Sequence, residues 1–128
     1  MLKQKIKAIL FYCGVLAAGL AVGAGVAKLP KLLERPYQQG NFTGHYAAAQ
    51  SKVVVYGTAS CPYCAKTREY LAQRKVAFAD LYVEKSDDAK QKYASLNVKG
   101  VPAILIGDRL ISGFKPDVID AALQAISK

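Results

Sequence analysis

The sequence predicts an α/β domain with a mixed four-stranded sheet and three helices, preceded by one long apolar helix. Two observations support this fold class. From Lys52 onward, short β-branched runs alternate with segments of helical periodicity, which is the pattern of an α/β domain. Nearer the start of the chain, twenty consecutive residues carry no charge. The predicted parts are an anchor or signal segment (1–29), a linker (30–51) and the domain (52–128).

The uncharged segment, Ala8 to Ala27, is long enough to cross a membrane as a helix. About 20 apolar residues span the ~30 Å hydrocarbon layer, and lysines flank this segment on both sides. A cleavable signal peptide has the same basic start, apolar centre and small-residue end, and Gly25-Val26-Ala27 would serve as its cleavage site. We therefore expect a retained anchor (membrane contact through residues 8–27), with secretion after cleavage as the alternative. Cys13 is expected to be an apolar residue in lipid.

Charge around the segment gives an expected orientation, and its glycines suggest self-association. The N-terminal flank is slightly the more positive, which favours a cytoplasmic N-terminus and a periplasmic or extracytoplasmic domain. A domain that faces the cytoplasm is the alternative. Gly19 and Gly23 form a GxxxG pattern, which allows close helix approach in lipid and predicts a weak homodimer.

The linker, residues 30–51, mixes prolines, glycines and amides without a sustained period, and this composition is typical of a tether. It contains His45, the only histidine of the chain. A single histidine in a linker is expected to be solvated.

The first half of the domain is predicted to be strand, helix and strand. "KVVVY" (52–56) is a β-branched run typical of a strand buried on both faces, and "FADLYV" (78–83) is a second strand. Pro62 suits the first position of the helix between them, which ends near Lys75. Strands joined by a helix are expected to be parallel. The apolar face of this helix is expected to contain Cys64, Thr67 and Leu71.

The second half is predicted to be a helix, a hairpin and a last helix. Ser86 is the expected N-cap of the first of these helices, whose apolar face holds Ala89, Tyr93 and Leu96. Strands over 102–106 and 110–114 are joined by a turn at 107–109. Pro116 begins the last helix. Its inward residues are expected to be Val118, Ile119, Ala122, Leu123 and Ile126.

The net charge of +9 does not indicate a nucleic-acid partner. Residues 1–51 carry six basic side chains against one acid, and residues 52–128 carry twelve against eight. The N-terminal excess flanks the apolar segment, and no basic stripe with interleaved aromatic residues appears. Membrane or targeting use explains the charge better than nucleic-acid binding.

Two cysteines at the start of the first domain helix predict redox chemistry. Free N–H groups and the helix dipole favour a thiolate at Cys61, which lowers a thiol pKa from ~8.5 into the range of about 3.5–7.5. Cys64 lies one turn later on the same face, at a Cα separation that a disulfide allows. Cys61 would attack a disulfide and Cys64 would resolve the mixed disulfide.

Two simpler interpretations of the cysteines are less favoured. A zinc site needs four ligands, and only Cys13 and His45 remain as further candidates, so no metal site is predicted. An inert buried thiol fits Cys64 alone, because Cys61 stands at an exposed helix start.

Three stretches of the domain together resemble the glutaredoxins, within the thioredoxin-like superfamily. These are "VVVYGTASCPYC", "KGVPAIL" and "GFKPD", and the resemblance covers about residues 52–127. It implies a thioredoxin-like fold in which Pro102 is cis and packs beside the cysteines, with the backbone there receiving an extended substrate chain. The substrate-binding residues expected on this basis are Tyr63, Val101, Pro102, Gly113 and Phe114, with ordinary packing as the alternative for the two aromatic side chains.

The sequence also departs from the family. Many glutaredoxins place a lysine or arginine three residues before the first cysteine, where it binds a glutathione carboxylate, and this chain has Thr58. "SGFKPD" (112–117) is more similar to the glutaredoxin-like reductants of ribonucleotide reductase, which thioredoxin reductase recharges. No bound cofactor is therefore expected, and glutathione is a possible reductant only.

The sequence thus predicts a membrane-tethered thiol–disulfide oxidoreductase. Its expected partners are a disulfide-containing protein or glutathione mixed disulfide, and a thiol reductant, either glutathione or a thioredoxin-reductase-like system. The alternative is a thioredoxin-like binding module that docks a membrane partner through a domain with a non-catalytic cysteine pair.

Overall fold

The computed structural model describes the main chain of residues 1–128 and the side chains outside residues 27–33. The chain divides into two compact units, residues 1–35 and residues 36–128, and each is described by itself.

The first unit is helix α1 (Leu2–Leu33). An 18-residue window within its segment Leu2–Val26 has a mean hydropathy of 2.1, and none of that window is buried. By length and composition it could cross a membrane, and a signal sequence would meet the same criteria. A Cβ added at Gly19 or Gly23 would meet no atom within 4 Å, so that face of the helix is open. Pairing of two anchors through it stays a prediction.

The second unit is a five-stranded sheet with helices on both faces. Its strands are β1 (Gln38–Gln39), β2 (Val53–Gly57), β3 (Ala79–Tyr82), β4 (Ala103–Ile106) and β5 (Arg109–Ser112), and its helices are α2 (Thr43–Tyr46), α3 (Pro62–Gln73), α4 (Asp87–Ser95) and α5 (Pro116–Ile126). The strand order is β1-β5-β4-β2-β3, with β2 and β3 parallel and the other pairs antiparallel. The predicted mixed sheet is confirmed, with one strand more than the four expected.

The central strands divide the core into two layers. One layer contains Val53, Val55, Leu71, Ile104, Ile106, Ile111, Ile119 and Ala122, and the other contains Val54, Tyr56, Leu96, Ala103, Leu105 and Leu110. Successive side chains of a strand point to opposite faces, so the buried run of β2 supplies both layers. This confirms that the β-branched run is a strand buried on both sides.

Helix starts follow the predicted local chemistry. The Ser86 Oγ accepts a hydrogen bond from the Ala89 N–H at 3.3 Å, which caps α4 as expected. Pro116 occupies the first turn of α5, and Ile119 and Ala122 of that helix are fully buried. The predicted helix boundaries therefore agree with the structure to within a few residues.

The hairpin between β4 and β5 is tighter than expected. Ile106 pairs with Arg109, so the turn consists of Gly107 and Asp108 only, and Arg109 belongs to the strand. Gly107 has φ +59°, and glycine at the first position is typical of a type II′ turn. The predicted strand over 110–114 correspondingly ends at Ser112.

The segment predicted as a linker is partly folded onto the domain. In this N-terminal extension (residues 36–50), Gln38 pairs with Leu110 of β5, and Phe42 and Tyr46 pack against the second core layer. The Tyr46 hydroxyl also donates to the Gly107 carbonyl at 2.9 Å. The tether assigned to 30–51 is wrong over this extension, because a two-residue strand and a four-residue helix are too short for a periodic signal.

The expectation of a solvated histidine is also wrong. His45 is half-buried, and its Nδ1 lies 2.8 Å from the hydroxyl of Tyr56, which is fully buried. Desolvation, with a contribution from Lys92, lowers the pKa of His45, while burial and the charge of Asp88 raise the pKa of Tyr56 to about 12. His45 therefore joins the extension to β2.

Candidate active site

Cys61 begins helix α3 as its N-cap. Its backbone is extended (φ −82°, ψ 114°), and its Sγ accepts a hydrogen bond from the Cys64 N–H at 3.1 Å. Pro62 fills the first turn without leaving a backbone donor unpaired. The sulfur of Cys61 thus lies at the positive end of the helix dipole, where a thiolate is stabilised.

Cys61 and Cys64 form a disulfide with a Cα–Cα distance of 5.2 Å. Cys64 is fully buried, whereas Cys61 is partly exposed. A reagent from solvent therefore reaches the first sulfur more readily than the second. This asymmetry suits a nucleophile followed by a resolving thiol.

The Val101–Pro102 peptide bond is cis, as the resemblance implies. The Val101 carbonyl oxygen lies 3.8 Å from the Cys61 Sγ, and Pro102 is buried. The Pro102 carbonyl accepts from the N–H of Gly113 at 2.8 Å, and Gly113 has φ +81°, a conformation that favours glycine. The loop before β4 and the end of β5 are thereby joined beside the accessible sulfur.

The two predicted aromatic residues occupy different surroundings. Tyr63 is 58% exposed, and the Lys66 Nζ lies 5.3 Å from its ring centroid. Phe114 packs edge-on against Tyr70 at a centroid distance of 5.5 Å. A shallow groove of about 200 Å³ is lined by Lys66, Glu69, Tyr70, Gln73 and Phe114. Tyr63 is not part of that lining, although Lys66 contacts both features.

Further residues that the sequence analysis did not identify hold the loop before Cys61. The Arg68 Nε donates to Asp80 Oδ1 at 2.8 Å, and its Nη1 lies 3.4 Å from the Thr58 carbonyl oxygen. The Ala59 N–H donates to the Glu84 carboxylate at 2.7 Å. Arg68 lies one helical turn after Cys64, so helix periodicity could have pointed to it, but its partners on other elements could not be inferred.

Gly57, the last residue of β2, permits the close packing of Cys64 on the sheet. A Cβ at this position would lie 2.9 Å from the Cys64 Sγ and 3.1 Å from the Arg68 Nη2. The helix therefore approaches the strand end closely because no side chain intervenes. Thr58, next in the chain, offers a hydroxyl and no charge.

Comparisons with known proteins agree with this geometry. The sequence profile of the glutaredoxin family matches residues 53–111. The chain is 34% identical over 73 residues to an uncharacterized glutaredoxin-like 8.6 kDa protein in the rubredoxin operon of Clostridium pasteurianum, covering 56% of this chain and 97% of that protein. It is also similar in fold to the glutaredoxin grx-1 of Archaeoglobus fulgidus, with a TM-score of 0.55, 21% identity, and coverage of 67% and 97%.

A third similar protein is the glutaredoxin-like NrdH-redoxin from Escherichia coli. Its structure gives a TM-score of 0.50 at 25% identity, covering 54% of this chain and 91% of that one. The sheet topology and the cysteine pair are those of a thioredoxin-like domain, and the similar proteins belong to the glutaredoxin-like thiol oxidoreductases. Within that class, the chain belongs to the glutaredoxin family. The extension, residues 36–50, lies outside residues 53–111, which the family profile matches.

Proposed function

We propose that the protein is a membrane-tethered thiol–disulfide oxidoreductase in which Cys61 is the nucleophile and Cys64 resolves. The observation that carries this proposal is the asymmetry of the pair. One sulfur is accessible at a helix N-terminus beside a cis-proline, and the other is buried one turn later.

The proposed reaction transfers two electrons from the dithiol to a disulfide. The Cys61 thiolate attacks one substrate sulfur, forms a mixed disulfide and releases the first substrate thiolate, which takes a proton from water. The Cys64 thiolate then attacks the Cys61 sulfur and releases the second. The substrate gains two thiols, and the protein returns to the disulfide that the structure shows.

The backbone of Val101 is proposed to receive an extended segment of the substrate. Within the described part of the chain, no main-chain hydrogen bond joins the N–H or carbonyl of Val101 to another element. An added extended chain could therefore pair with it, close to the Cys61 sulfur. Pro102, Gly113, Tyr63 and Phe114 are proposed to border this substrate edge.

For the reductant, we favour a thioredoxin-reductase-like system over glutathione. Thr58 supplies no cation at the position where glutaredoxins hold a glutathione carboxylate. The similar protein from Escherichia coli is described as having a thioredoxin-like activity profile. The "SGFKPD" stretch, which is more similar to the glutaredoxin-like reductants of ribonucleotide reductase, also favours a thioredoxin-reductase-like system.

Helix α1 is proposed to remain in the mature protein as a membrane anchor, with the domain outside the cytoplasm. Residues 28–35 alone separate the uncharged segment from the folded domain. Disulfides near the bilayer surface would then be the substrates. A cleaved segment would instead give a secreted domain.

Single cysteine variants of the full chain in detergent test the proposed roles. Cys61→Ser should abolish reduction of a small disulfide, whereas Cys64→Ser should accumulate a mixed disulfide that intact mass analysis detects. Cys13→Ser is the matched control and should turn over like the wild type. A wild type that does not turn over, together with a Cys64→Ser variant that forms no mixed disulfide, would support a binding module instead.

A further inference from the structure

Arg68 carries one buried donor that has no hydrogen-bond partner in the described part of the chain. Its Nε donates to Asp80, and its Nη1 approaches the Thr58 carbonyl. Its Nη2 is buried and has no hydrogen-bond partner among the residues whose side chains are described. Buried polar groups are nearly always paired, so an unpaired cationic donor at this place calls for an acceptor.

The nearest group that changes chemistry during the proposed reaction is Cys64. The Arg68 Nη2 and the Cys64 Sγ lie 3.1 and 2.9 Å from the same point, the position of a Cβ on Gly57. They are therefore no more than about 6 Å apart, within the range over which an opposite charge shifts a pKa. In the disulfide the Cys64 sulfur is a weak acceptor, but the reduced protein can present a thiolate there.

We propose that Arg68 stabilises the thiolate of Cys64 in the reduced and mixed-disulfide states, and so speeds resolution. This inference rests on the proposed oxidoreductase function. Cys64 gives its proton to solvent, and the thiolate then attacks the Cys61 sulfur. The Cys61–Cys64 bond forms, the bond from Cys61 to the substrate sulfur breaks, and the leaving thiolate is protonated from water.

The surroundings of Cys64 explain why a cation is needed. Full burial alone favours the neutral thiol and raises a thiol pKa, which would slow resolution at neutral pH. The charged and titratable groups facing it are Cys61 and Arg68 of α3, with Asp80 and Tyr82 of β3 behind the guanidinium. Asp80 partly neutralises Arg68, so it is expected to act in the opposite sense.

The test measures the pKa of Cys64 in the full chain with Cys61→Ser, by thiolate absorbance during a pH titration. Cys13→Ser is included in every variant so that Cys64 is the single thiol. Adding Arg68→Met should raise the pKa by about one pH unit or more. Adding Asp80→Asn should lower it, and Arg68→Lys should leave it closer to the wild-type value than Arg68→Met does.

A kinetic measurement accompanies the titration. In the chain with both active-site cysteines, release of a chromogenic thiol from a mixed disulfide on Cys61 reports resolution. A tenfold loss of thiolate at pH 7 is partly offset by higher nucleophilicity, so Arg68→Met should slow release about three- to fourfold. At a pH well above the pKa of Cys64 in both proteins, where the thiol is fully ionised, the difference should reverse, because the thiolate of higher pKa is the better nucleophile.

The opposite pKa shifts expected for Arg68→Met and Asp80→Asn distinguish an electrostatic role of Arg68 from a structural one. Both substitutions break the 2.8 Å ion pair, so a purely structural role would shift the two variants alike. An unchanged pKa in Arg68→Met, or shifts of the same sign in both variants, would overturn the inference. Because the titration uses no substrate, it stands even if the protein proves inactive, which would count against the proposed function alone.

Discussion

At the scale of single residues, the site depends on a few close contacts around the two sulfurs. Cys61 accepts a backbone hydrogen bond at the start of α3, and Cys64 lies against the Cα of Gly57. The cysteines were identified from the sequence because their spacing alone fixes their relation on one helix. The sequence does not identify the contacts of Arg68 and Gly57, because these contacts join α3 to strands that are distant in the sequence.

Gly57→Ala should destabilise the domain. The added Cβ would lie 2.9 Å from the Cys64 Sγ, and steric overlap of this kind costs about 1–3 kcal/mol. Urea unfolding of the full chain in detergent measures the change. Gly44→Ala is the control, because a Cβ there meets nothing within 4 Å, and equal stability of the two variants would show that the close approach is not limiting.

Thr58→Lys should raise activity in a glutathione-coupled assay. An added cation at this position can pair with a glutathione carboxylate, and a partly exposed pair worth about 1 kcal/mol corresponds to roughly a fivefold gain. Ser60→Lys is the matched control at an exposed neighbour. Robust wild-type turnover with glutathione, or an equal gain in the control, would show that the absence of a cation at residue 58 does not limit the use of glutathione.

At the scale of elements, the sequence predicted whatever local chemistry determines. The buried run of β2, the cap of α4 by Ser86 and the inward face of α5 follow from periodicity and capping. The extension was missed because Phe42 and Tyr46 gain their burial from distant strands. The contact of His45 was missed for the same reason, because its partner Tyr56 lies eleven positions further along the chain.

The free energy of unfolding should decrease as the pH falls, because His45 must then take up a proton. Its pKa in the folded protein is below the ordinary 6.5, so the unfolded chain binds more protons near and below that pH. This contribution is present above pH 6.5 and is lost as pH falls through that value toward the folded pKa. Urea midpoints of the full chain between pH 5 and 8 measure the slope.

The matched variant for this titration is His45→Gln, which keeps a hydrogen-bonding side chain near the Tyr56 hydroxyl and cannot titrate. Its stability should vary less than that of the wild type between pH 5 and 6.5. His45→Ala should cost about 1–3 kcal/mol at pH 7, since it leaves the buried Tyr56 hydroxyl unpaired. Parallel pH profiles for wild type and His45→Gln would contradict this role.

At the scale of the whole molecule, the sequence predicts a redox domain attached to a membrane segment. The family of the domain is shown by its similarity to a glutaredoxin-like relative, and its fold by the sheet topology. Composition alone does not distinguish an anchor from a signal sequence, because both are apolar helices with basic starts.

Retention of the anchor has a direct measurement. Intact mass analysis of the protein from membranes should give a mature chain that begins at residue 1 or 2, because the apolar segment is at the long end for a signal. The protein should also resist extraction by alkaline carbonate. A mature start near Lys28 would instead identify a cleaved signal peptide.

The central claim is that Cys61 is an activated nucleophile, and its alkylation rate tests this most directly. In the reduced full chain with Cys13→Ser, the helix N-terminus should lower the pKa of Cys61 below the ~8.5 of an ordinary thiol. Cys61 is then expected to alkylate at pH 6 several times faster than free cysteine, with peptide mapping locating the label on Cys61. A rate no greater than that of free cysteine would contradict the account.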